Sequence, residues 1–175
     1  MALTTLSVVL TAVFLALTAY FTRATPRRIA GALAVAIVIA PAVMLADTLA
    51  FYAGLWRYPL VATPYGPLEF YVAIGLGIGA LTLLIWRLER RFGRRALVGA
   101  VAFMAVYGPF RDYVGGQAIS HVIEFGPGPL PVVADMLAWA VGVSLGVLVM
   151  RVVAGAARAD RLARMRPAPG TPGLT

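Results

Sequence analysis

Long uncharged apolar stretches alternate with short polar clusters along the chain. They cover Ala2–Thr22, then 29–46, 70–86, 96–110 and 136–150, with arginines or carboxylates at every break. A helix needs about 20 residues to cross the hydrocarbon, so runs of this length predict membrane-spanning helices. The expected fold class is an all-α integral membrane protein. Residues 1–157 form a bundle of five transmembrane helices, and residues 158–175 a disordered basic tail rich in Pro and Gly. No strand is expected. The first stretch has no basic segment before it, so it reads as a retained helix rather than a cleaved signal.

Glycines recur four residues apart at Gly75 and Gly79 and at Gly142 and Gly146, a spacing that lets helix backbones approach closely. Pro41 lies inside the second stretch and is a candidate kink.

Composition agrees with this pattern. Apolar residues are 61% and charged residues 13% of the chain, against about 25% charged in soluble domains. Mean hydropathy is +0.88. Cysteine is absent, which excludes disulfides, thiolate metal sites and thiol nucleophiles.

All 15 basic residues are arginines, and 13 of them fall in alternate loops and the tail. Only Arg57 and Arg111 fall on the other side. The positive-inside rule then places the N-terminus outside and the C-terminus in the cytoplasm of a bacterial plasma membrane. The net charge of +8 is a topology signal, and nucleic acid is not an expected partner.

The carboxylates carry more chemistry. Glu89 and Asp160 sit among the inner arginines and read as solvated partners. Asp47, Glu69, Asp112, Glu124 and Asp135 map to the outer half, with His121, Arg57 and Arg111. An uncharged run of 15 residues rises only about 22 Å, so the last two spans must extend past their first charge. The second span is expected to continue to about Tyr52, which places Asp47 inside it. Four spans thus each bring one carboxylate to a similar level: Asp47, Glu69, Asp112 and Asp135.

Ionisable groups at such depth mark functional candidates, because burying them is costly. Arg57, Arg111 and His121 are their candidate charge partners. The plainer reading is an ion-pair network tying loops to helix ends.

Aromatic residues gather at the same level, among them Trp56, Tyr58, Tyr65, Tyr71, Tyr107, Tyr113 and Trp139. An interfacial aromatic belt would explain them, but inward-facing rings could also bind substrate or stabilise a cation. Unequal environments would make one acid a proton donor and its neighbour a base. This suits protonation of a lipophilic polyene, terpenoid or epoxide, giving cyclisation or ring opening with no cofactor and no metal.

One stretch carries a family resemblance. DTLAFYAGLWRYP, from Asp47, followed by TPYGPLEF, ending at Phe70, resembles the small membrane lycopene cyclase type. The shared features are an Asp near a helix end, G-x-W-x-aromatic, and Pro-x-Glu opening the next span. The resemblance implies that Glu69 is the essential acid of proton-driven cyclisation, with Asp47, Trp56 and Tyr58 in the preceding motif. Where that family usually has Pro-x-Glu-Glu, this chain has PLEF.

His121 and Glu124 stand at i, i+3, but no second His accompanies them and no metal site is expected. Ser120 beside His121 does not make a nucleophile and base pair. The expected partners are a lipophilic small molecule and membrane lipid, with a homo-oligomer an open alternative. An epoxide hydrolase, a sterol-type isomerase, a non-catalytic or lipid-binding subunit and a proton-coupled carrier remain competing functions.

Overall fold

The computed structural model describes residues 2–61 and 63–157, so the expected tail lies outside the described residues. The chain is all-α, with helices at Ala2–Thr22 (α1), Pro26–Tyr52 (α2), Leu68–Phe92 (α3), Arg94–Arg111 (α4) and Leu130–Ala154 (α5). A π-helical segment, Asp112–Ile119, continues α4. Four helices, α1, α2, α3 and α5, are long and apolar enough to cross a membrane.

The surface suits lipid. Leu10, Leu17, Leu45, Leu49, Val141 and Leu148 are exposed along the long helices. In water such faces would carry polar side chains.

Helix α3 is the hub, packing against α1, α2, α4 and α5. Its contact with α2 depends on the absence of side chains. A Cβ on Gly75 would lie 2.6 Å from the Ala36 carbonyl oxygen, and one on Gly79 2.6 Å from that of Ala32. Backbones can meet this closely only where small residues face each other. Gly146 packs similarly against Thr82 and Ile78, whereas Gly142 has open space around its Cα. Val35, Ile39, Leu83, Val143 and Met150 fill the core between these helices.

Three local features differ from the sequence expectation. Glu89 is buried rather than solvated, 4% exposed, and Arg151 donates to it at 2.5 Å. The low exposure demands that partner, since an unpaired buried charge is costly. A short antiparallel pair exists where none was expected, β1 (Trp56–Arg57) against β2 (Glu124–Phe125). The third is the π-helical segment itself. It begins three residues after Pro109, which lies inside α4.

Candidate functional site

The C-terminal half of α2, the N-terminal halves of α3 and α5, and the π-helical segment line a partly open cavity of about 440 Å³. Its volume suits one small molecule. Asp47, Asp112 and Asp135 all line it, each supplied by a different element. Their environments are unlike.

Asp47 lies in the last two turns of α2, 5% exposed, and three neutral donors hold it. Trp56 Nε1 donates to its Oδ1 at 3.1 Å, and the Tyr58 and Tyr71 hydroxyls donate to its Oδ2 at 2.6 and 2.8 Å. Tyr71 in turn accepts from the Gly66 amide at 2.8 Å. The carboxylate therefore ties both ends of the α2–α3 loop to the helix that precedes it. Burial first, and then the Asp47 charge, push the Tyr58 hydroxyl well above the ordinary tyrosine range, so it stays a donor.

Asp112 opens the π-helical segment. Arg111 Nε donates to its Oδ1 at 2.7 Å, and Trp139 Nε1 to its Oδ2 at 2.9 Å. The Arg111 guanidinium also lies 5.0 Å from the centre of the Trp139 ring. The ring has room because position 108 is glycine: a Cβ there would fall within the indole.

Asp135 lies in the second turn of α5 and is 6% exposed. Its Oδ2 is buried without any hydrogen-bond partner. Buried polar atoms are nearly always satisfied, so an orphan that lines an apolar cavity marks a place where a ligand atom can complete the bonding.

The other expected site residues divide between the cavity and the surface. Trp56, Tyr58, Trp139 and Arg111 line the cavity, and Tyr71 supports it through Asp47. Glu69 does not line it and is exposed in the first turn of α3. The cavity-facing positions of α3 are Phe70, Ile74 and Ile78, and helical phase turns position 69 to the opposite side.

Arg57 donates to Glu124 through Nε and Nη2, at 2.8 to 3.0 Å, across the β1–β2 pair and outside the cavity. Tyr113 stacks on Phe125 with centroids 3.9 Å apart, and Tyr107 stacks on Phe103. Neither Tyr113, Tyr107 nor Tyr65 lines the cavity. His121 is exposed in the left-handed region, φ 51°, and is also outside it.

Residues not singled out in the sequence complete the enclosure: Ile39, Ile78 and Leu145 at depth, Gly115 and Gly116 in the π-helical segment, and Ser7 from α1. The i, i+4 relation of Phe70, Ile74 and Ile78 was the available signal for the α3 face. Among the described residues no three His, Asp or Glu side chains group as a metal site. No protein-family model matches the chain, and no curated protein or solved structure is found similar to it.

Proposed function

We propose that the protein is a membrane-embedded acid/base enzyme that protonates a lipophilic polyene, terpenoid or epoxide in this cavity. The observation that carries the reading is the contrast between two carboxyl groups on one apolar space. Asp135 has a buried oxygen without a partner, and Asp112 is fixed by Arg111 and Trp139. In the reaction, Asp135 enters protonated and gives its hydrogen to an epoxide oxygen or an alkene carbon. For an epoxide, an oxygen lone pair takes the proton and the C–O bond breaks with its electron pair going to oxygen. For an alkene, the π pair forms the new C–H bond. Either leaves a carbocation. Asp112 then removes a proton from an adjacent carbon, or from a water molecule as it adds to the cation. The first route gives an isomer, or a ring where a second C=C has already added its π pair to the cation to form a C–C bond; the second gives a hydrated product. Return of that proton to Asp135 restores the starting state.

Trp56, Tyr58 and Trp139, which line the same space, supply π faces and dipoles near the cation. Asp47 positions two of these rings. The aliphatic depth of the cavity, at Ile39, Ile78 and Leu145, offers no polar route onward and favours an enzyme over a proton carrier.

The same proposal makes α4 a fifth span, with the N-terminus outside and the site in the outer half of a bacterial plasma membrane. The arginines support it, since Arg23, Arg27, Arg28, Arg87 through Arg95 and Arg151 all belong to one end of the bundle.

The test is turnover by the full chain in phospholipid vesicles, given a panel of epoxidised and polyene terpenoids, with products identified by mass spectrometry. Conversion is expected in the wild type and is expected to vanish in Asp135→Asn and Asp112→Asn. Undiminished conversion by Asp135→Asn would overturn the proposal.

A further inference from the structure

The cavity has a measurable length, and three helices give it independently. Lining residues run from Asp135 to Leu145 on α5, from Asp47 to Ile39 on α2, and from Phe70 to Ile78 on α3. At the α-helical rise these are about 15, 12 and 12 Å. Carboxyl groups stand at the outer end on α2 and α5, and Ile39, Ile78 and Leu145 lie at the inner end. The space is therefore polarised along the helices, with the orphan oxygen of Asp135 at its polar end.

Part way down stands Gly142, seven residues and so about 10 Å below Asp135. It lines the cavity, and a Cβ added there would meet nothing within 4 Å. This glycine has no packing role like that of Gly75 or Gly146. The space beside it is open.

We infer that the substrate is an amphiphile with one terminal oxygen function at Asp135 and an apolar body of about 12 to 15 Å lying past Gly142, and that Gly142 sets the accepted length. This rests on the reading of Asp135 as the group that meets the reacting end. A side chain at position 142 would shorten the apolar compartment without disturbing either helix contact or the carboxyl groups. A medium-length molecule would then be rejected and a short one kept.

Native mass spectrometry of the full chain, released from detergent micelles, tests this with hexanol and dodecanol as probes. Wild type is expected to retain both. Gly142→Leu is expected to weaken dodecanol by about tenfold or more, since several buried methylenes lose their place, and to leave hexanol within about twofold. Gly142→Ala, which needs no rearrangement, is expected to fall between them and covers the case in which the leucine variant does not fold. Equal loss of both alcohols, or no change in either, would overturn the length gauge.

Turnover is scored separately from this binding. A length-dependent shift in binding with no turnover of any terpenoid would sink the catalytic proposal alone. Turnover that persists in Gly142→Leu with unchanged chain-length preference would sink the gauge alone.

Discussion

Tyr58 in the α2–α3 loop and Tyr71 in the first turn of α3 donate to the same oxygen of Asp47, at 2.6 and 2.8 Å. With Trp56 on the other oxygen, one buried carboxylate anchors the start of the α2–α3 loop and the start of α3. Its removal would strand three donors at once. Asp47→Ala is expected to cost roughly 3 kcal/mol or more, from about 1 to 3 kcal/mol for each buried group left unpaired, and Tyr58→Phe only about 1 kcal/mol. Unfolding of both variants in detergent would check the ratio. Equal costs would show that Asp47 is not the organising group.

Asp135 should behave in the opposite way. It satisfies no partner through Oδ2, so Asp135→Asn is expected to keep or raise stability by about 1 kcal/mol while removing turnover. Glu69→Gln, at an exposed position outside the cavity, is expected to leave both unchanged. Melting temperatures measured beside product yields separate the three carboxylates. Loss of turnover in Glu69→Gln would return the acid to the motif that the resemblance singled out.

Near the C-terminal ends of α3 and α5, away from the cavity, Glu89 and Arg151 form a pair that cannot be halved cheaply. Arg151→Met is expected to destabilise the protein by about 3 to 5 kcal/mol, because Glu89 stays buried. Adding Glu89→Gln to that variant should recover most of the loss. A double-mutant cycle with no recovery would mean that the cost comes from packing.

Alkali offers a further check, on Tyr58. Its hydroxyl is raised above the unfolded value by burial and by Asp47, so the folded state holds this proton more tightly than the unfolded one. The associated stability is complete below about pH 10 and declines as pH rises beyond it. Unfolding measured across that range should fall more steeply for wild type than for Tyr58→Phe. Parallel curves would contradict the shift.

The chain announced its helices well and its site in part. Five uncharged stretches lie within the five α-helices. The 15-residue runs predict extension past Arg111 and Asp135. Helix α5 does begin before Asp135, whereas α4 gives way to the π-helical segment at Asp112, while α2 reaches Tyr52 as expected. Trp56 and Tyr58 stood in a local motif close to Asp47. Glu69 shared their level but not their direction, and only helical phase relative to Phe70, Ile74 and Ile78 distinguishes the two. Glu89 read as solvated because its pairing with Arg151 joins positions 62 residues apart. The π-helical segment and the two-residue strands leave almost no periodic trace, being too short to show one.

The space above Gly108 has a consequence for how this site could vary. Trp139 occupies the place of the missing methyl, and from there its indole holds Asp112. The aim of a charged group is thus decided by a hydrogen atom one turn earlier on the helix that its segment continues, through a ring on the neighbouring helix. Serine or alanine at 108 would unseat the ring and leave Asp112 to Arg111 alone, altering the chemistry of the chamber without touching any residue that bears it.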